Sequence, residues 1–166
     1  MTTSEGAARS PRAAPRRGPL AALRDALNEV GYRAVWYTCL LFLRVVYGFR
    51  VENRPRFPGP YILAPNHASF LDPVVIQAAS RSRIIFLMTE VYWGSRSVNW
   101  WYRFCRALPV YMGSRSNRPT LAAAVRALRR GRVLAIFPEG SRSRDGRLQR
   151  GRPGVAMIAA LARVPV

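Results

Sequence analysis

The sequence predicts an α/β domain with a mixed or parallel sheet flanked by helices, preceded by an N-terminal pair of apolar and amphipathic helices. Three observations carry this. From Tyr61 onward, short apolar runs alternate with helix-period runs, the pattern of strands joined by helical crossovers. The run Val133-Leu134-Ala135-Ile136-Phe137 is apolar throughout, as a strand buried on both faces of a sheet is. The stretch from Leu20 to Phe49 reads as helical, first amphipathic through Leu20, Leu23, Leu27 and Val30, then strongly apolar from Ala34.

The elements follow in order. Residues 1–18 are rich in Thr, Ser, Ala, Pro, Gly and Arg and read as a disordered basic tail. Residues 19–50 are the helical segment. Its apolar part, Ala34 to Phe49, has 16 residues with Arg44 inside and Arg33 and Arg50 at its flanks. A spanning helix needs about 20 mostly apolar residues. With Trp36, Tyr37 and Tyr47 present, lying in a membrane interface fits better than crossing it; a core helix of the domain is the alternative.

Residues 51–166 form the α/β domain. Strands are expected at Tyr61–Ala64, Ile84–Met88, Leu108–Tyr111 and Val133–Phe137, and helices at 73–80, 97–106, Thr120–Arg129 and 154–162. Val164-Pro165-Val166 begins what reads as one more strand, so the C-terminal part of the domain is expected to be missing.

Composition bounds the function. A chain of 166 residues with 49% hydrophobic content can bury the core of one domain. Its net charge of +19 comes from 27 basic residues, all arginine, against 8 acidic ones. That balance implies an anionic partner: nucleic acid, anionic lipid or a phosphorylated small molecule. Cys39 and Cys105 have no metal-type spacing and read as buried thiols of a reducing compartment. One histidine without clustered carboxylates builds no metal site.

Two segments carry chemistry. Asn66-His67-Ala68-Ser69-Phe70-Leu71-Asp72 places the only histidine five residues before an aspartate. At about 100° per residue that spacing puts the two side chains on different faces of a continuous helix, so they can meet only across a turn. Asp72-Pro73 supplies one, with Asp72 expected as the N-cap and Pro73 at the first helical position. His67 and Asp72 are thus candidate catalytic residues, the alternative being a capping aspartate beside an ordinary loop histidine. The second segment is Phe137-Pro138-Glu139-Gly140-Ser141-Arg142-Ser143-Arg144, directly after the buried strand. Both segments follow strands, where open α/β sheets gather ligands. Gly140 permits close backbone approach, Ser141 can donate, and Arg142 can hold a phosphate bidentately.

The first segment resembles the His-x4-Asp block of the glycerolipid acyltransferase family. The second is similar to that family's Phe-Pro-Glu-Gly-Thr-Arg-Ser block, and the separation of about 70 residues fits. The resemblance runs from about Val51 to Val166 and points to the bacterial 1-acylglycerol-3-phosphate acyltransferases. It implies that His67 is a general base, supported by Asp72, for acyl transfer from a thioester to a hydroxyl. It also implies that Glu139, Gly140, Ser141 and Arg142 bind the acceptor, with Arg142 on its phosphate. The family's middle block ends in an arginine where this sequence has Met112, and Arg115 could substitute from the next turn.

The resemblance further implies lysophosphatidate as acceptor, acyl-CoA or acyl carrier protein as co-substrate, and no resident cofactor or metal. The product would be phosphatidic acid. A membrane phospholipid surface is the expected partner, approached interfacially from the cytoplasmic face. A non-catalytic lipid-surface protein of the same fold is the rival reading, as is an acyltransferase with a different acceptor. Tyr92, Trp93, Trp100, Trp101, Tyr102 and Phe104, interleaved with Arg96, Arg103 and Arg106, could stack single-stranded nucleic acid or lie at lipid headgroups. With no other nucleic-acid feature in the chain, nucleic acid is not the expected partner.

Overall fold

The computed structural model describes residues 18–52, 59–92, 96–111 and 116–166. Among these, helix α1 spans Pro19–Tyr47, followed by β1 Ile62–Leu63, α2 Asp72–Ala79, β2 Ile84–Thr89, a 3₁₀ turn Glu90–Tyr92, α3 Arg96–Cys105, β3 Leu108–Val110, α4 Arg118–Arg129, β4 Val133–Ala135 and α5 Gly154–Ala162. Residues 1–17 of the basic tail and Trp93, Met112 and Arg115 lie outside the described residues.

The strands form a sheet in the order β1-β4-β2-β3, and every pairing is parallel. β4 is central because its three residues are buried on both faces. Alternation along the strands divides the core. Ile62 and Leu134 pack with Ala124, Leu128, Val155 and Ile158 of α4 and α5. Ile84, Phe86, Val133 and Ala135 pack on the other face with Ile76 of α2. Burying each of the larger side chains contributes about 1.5–3 kcal/mol. Beyond Val164, the carbonyl of Pro165 accepts the Ile62 amide at 3.0 Å, so the chain resumes pairing at the outer side of β1.

The N-terminal segment is one uninterrupted helix of 29 residues rather than a pair. Pro19 starts it, Gly48 in the left-handed conformation (φ 60°) ends it, and no proline interrupts it between these points. Its two faces are opposed. Leu20, Leu23, Leu27, Val30, Tyr37, Leu41 and Val45 form an exposed apolar stripe. On the other side, Asn28, Glu29, Tyr32 and Leu43 face the domain or its polar anchors. No helix among the described residues is long and apolar enough to cross a membrane.

Two polar groups fasten α1. Gln77 of α2 is buried with both polar atoms bonded: its Oε1 accepts the Tyr32 hydroxyl (2.6 Å) and the Ile84 amide (2.8 Å), and its Nε2 donates to the Ser82 carbonyl (2.9 Å). Arg83 donates to Glu29 at 2.8 Å, to Asn28 and to the Phe104 carbonyl, with its guanidinium 3.8 Å from the Tyr32 ring centroid. The aromatic run of α3 is largely part of this packing. Trp101 and Phe104 rings lie 5.6 Å apart, Phe104 meets Tyr32 at 5.9 Å, and Trp100 faces outward. A cavity of ≈80 Å³ remains between α1, α2, β2 and α3, lined in part by Cys39 and Cys105. Both cysteines are free and half-buried. Burial, reinforced by Cys39 and opposed by Arg83, pushes the Cys105 thiol up to about 11, so it stays protonated at neutral pH.

Candidate active site

β1 and β4 are parallel neighbours in the sheet, with Leu63 opposite Ala135. Their carboxyl ends therefore open side by side, and the two loops that leave them meet although about 70 residues separate them in sequence. The Ile136 amide extends the pairing to the Leu63 carbonyl at 2.9 Å. Further on, the Ser143 amide donates to the His67 carbonyl at 2.7 Å. Side chains close the same seam. The Phe137 ring stacks on the His67 imidazole, with centroids 3.9 Å apart and planes 18° apart. The Arg142 guanidinium lies 3.3 Å from the Phe70 ring centroid.

His67 and Asp72 meet across the turn. His67 Nδ1 lies 2.8 Å from Asp72 Oδ2, and the side chains are 18% and 22% exposed. The same oxygen accepts the amides of Ala68 (2.7 Å) and Ser69 (2.8 Å). Asp72 is therefore not the cap of α2. It lies inside the first turn and makes no capping bond to that helix, while Leu71 precedes the helix. The reason is geometric: three donors of the 67–69 loop converge on the carboxylate from the opposite direction. Burial pushes the Asp72 carboxyl up, but the Ser69 amide, the His67 ring and the Ala68 amide outweigh it and hold the group below the ordinary carboxylate value. A carboxylate accepts only, so Nδ1 of neutral His67 carries the proton and Nε2 keeps its lone pair.

The second loop has an ordered interior. Gly140 adopts φ +74°, and a Cβ there would meet Arg152, whose Nε would be 3.0 Å away. Glu139 is 6% exposed, and its Oε2 has no hydrogen-bond partner among the described residues. Ser141 Oγ lies 3.2 Å from Gln149 Oε1, and Gln149 Nε2 donates to the Arg142 carbonyl at 3.3 Å. Ser141 and Arg142 are exposed. His67, Asp72 and Arg142 thus belong to one two-loop site that Gly140 and Ser141 shape, with Glu139 buried beneath it. Arg115 lies outside the described residues.

Sequence reasoning passed over Phe70, Phe137, Gln149 and the Ser143 amide. The first two carried a signal, being aromatic residues inside the very segments singled out. A backbone amide carries none.

A parallel sheet whose neighbouring strand ends present a His-Asp loop and a Glu-Gly-Ser-Arg loop defines a protein of the acyltransferase family. The Acyltransferase family model matches residues 48–166, and the chain belongs to that family. Within the family it is similar to 1-acyl-sn-glycerol-3-phosphate acyltransferases. Over 117 residues it is 31% identical to a chloroplastic 1-acyl-sn-glycerol-3-phosphate acyltransferase of Brassica napus, covering 70% of this chain and 34% of that protein. Over 123 residues it is 32% identical to the 1-acyl-sn-glycerol-3-phosphate acyltransferase of Streptococcus pneumoniae (strain ATCC BAA-255 / R6), covering 69% and 44%. The chain thus spans between a third and a half of the length of these relatives. The crystal structure of the 1-acyl-sn-glycerophosphate acyltransferase PlsC of Thermotoga maritima shares the fold, with TM-score 0.60 and 24% identity over 87% of this chain and 62% of that one.

Proposed function

We propose that the chain transfers an acyl group from a thioester, acyl-CoA or acyl carrier protein, to the free hydroxyl of 1-acylglycerol-3-phosphate, giving phosphatidic acid. The observation that carries this reading is the 2.8 Å His67–Asp72 pair, sharing its loop with the aromatic ring on which Arg142 rests. The acceptor hydroxyl gives its proton to His67 Nε2 as its oxygen attacks the thioester carbonyl. The tetrahedral intermediate then collapses, the C–S bond breaks, and the imidazolium returns the proton to the departing thiolate. One ester forms, one thioester is lost, and the base is restored with no resident cofactor.

A positioned base of this kind typically contributes about 10²- to 10⁴-fold. Asp72, anionic at neutral pH, orients the imidazole and stabilises the transient imidazolium. Ser69 is not the nucleophile; its hydroxyl accepts the Leu71 amide at 3.1 Å and shapes the turn. Arg142 takes the acceptor phosphate, and Glu139, buried beneath the turn, belongs to the same acceptor loop. Arg115 joins this acceptor site on the resemblance of its segment alone. The apolar stripe of α1 lies in the headgroup region of the cytoplasmic leaflet, where anionic lipid complements the net charge of +19.

The test uses vesicles carrying lysophosphatidate, with acyl-CoA added and lipids read by mass spectrometry. Phosphatidic acid that requires both substrates and the protein supports the proposal. A folded, vesicle-bound chain that makes none with either acyl donor contradicts it.

A further inference from the structure

Gly140 is glycine for two reasons, and the second reaches beyond the turn. Its φ of +74° disfavours a side chain, and the space a Cβ would occupy is filled by Arg152, with Nε at 3.0 Å, Cζ at 3.2 Å and Cδ at 3.4 Å from the Cβ position. The Arg152 side chain therefore lies flat along the backbone of the anion-binding turn. Its main chain is tied there too: the Arg152 amide donates to the Pro138 carbonyl at 2.8 Å, and a Cβ on Gly151 would stand 3.5 Å from Pro138 Cβ. The Gln149 bonds to Ser141 and Arg142 hold the loop folded back so that residue 152 reaches the turn.

We propose that Arg152 is a second arm of this turn, acting with Arg142 on the phosphomonoester of the acyl acceptor. The proposal rests on the acyl-transfer reading above. Arg152 is exposed, and among the described residues no side chain pairs with its charge. Of the two acidic residues of the loop, Glu139 is buried and Asp145 pairs with Arg147 at 3.8 Å, and Arg152 makes no ion pair with a described carboxylate. A phosphomonoester carries about −1.5 to −2 at neutral pH, more than one guanidinium neutralises. Arg142 is placed by the Phe70 ring and Arg152 by the bare face of Gly140. Two planar donors fixed before the ligand arrives lose less rotamer freedom on binding than free surface arginines do.

The experiment measures binding of sn-glycerol 3-phosphate, with glycerol as control, and acyl-transfer kinetics for Arg152→Ala, Arg152→Lys and Arg142→Ala, all shown folded by thermal unfolding. Arg152→Ala is expected to weaken glycerol 3-phosphate binding and raise the lysophosphatidate KM at least tenfold. kcat should stay within about twofold and the acyl-CoA KM should not change, with Arg152→Lys intermediate. Unchanged binding and KM in Arg152→Ala overturn the inference, as does a rise confined to the acyl-CoA KM or a loss confined to kcat. If glycerol 3-phosphate binding falls as expected while lysophosphatidate is never acylated, the anion site stands and the acyl-transfer reading fails.

Discussion

The Ser143 amide and the His67 carbonyl, 2.7 Å apart, join the two functional loops through the backbone. Because the donor is main chain, Ser143→Ala should leave activity close to wild type. Ser143→Pro removes the donor and restricts Arg142 before it. It should lower phosphatidic acid formation by at least about tenfold, measured on vesicles beside the alanine variant.

The Phe70–Arg142 contact is a cation–π pair at an exposed position, worth about 0.5–1 kcal/mol. Phe70→Leu keeps apolar bulk but removes the ring quadrupole. Steady-state kinetics should show a lysophosphatidate KM about two- to fivefold higher, at unchanged acyl-CoA KM.

Asp72 links the site to acid stability. Its folded pKa is depressed below the ordinary value of 3.8, so the stability it contributes is present above that value and is lost as pH falls through the folded pKa. Unfolding followed from neutral pH to acid should show this loss in wild type and a flatter profile in Asp72→Asn. The same variant should lose most acyl transfer, because an amide neither holds the three loop donors as strongly nor supports an imidazolium.

Gln77 accepts the Tyr32 hydroxyl and the Ile84 amide in a buried setting. Gln77→Met leaves both donors unsatisfied, at about 1–3 kcal/mol each. Tyr32→Phe removes only one hydrogen bond and should cost about 1 kcal/mol. Denaturant unfolding of the two variants should rank them in that order.

The exposed stripe of α1 should act separately from folding. Leu27 and Leu41 are 64% and 63% exposed, so Leu27→Glu with Leu41→Glu should leave the unfolding midpoint within a few degrees of wild type. Flotation with anionic vesicles should fall sharply in the same protein. Flotation equal to wild type would remove α1 as the membrane contact.

What the sequence made legible follows from local chemistry. Between Tyr61 and Ala162 short apolar runs and helix-period runs marked the strands and helices, though not the 3₁₀ turn Glu90–Tyr92, and the parallel pairing of β1 with β4 brings the two segments together. What it hid depends on packing between distant residues. Asp72 before Pro73 has the local signature of a cap, yet the loop donors at 67–69 draw its carboxylate away from the helix. Proline-free sequence between Pro19 and Gly48 gave no reason to divide α1, and it is one helix. Gln77 stood out only as a polar residue within Val-Val-Ile-Gln-Ala-Ala. Arg152 was one arginine among several after Ser141, distinguished only by its position over Gly140.

The most direct test of the mechanism is release of free thiol from acyl-CoA by the vesicle-bound chain, with and without lysophosphatidate, for wild type and His67→Ala. The account predicts release that requires the acceptor in wild type and falls at least about a hundredfold in the variant. Acceptor-dependent release persisting at the wild-type rate in His67→Ala would contradict it.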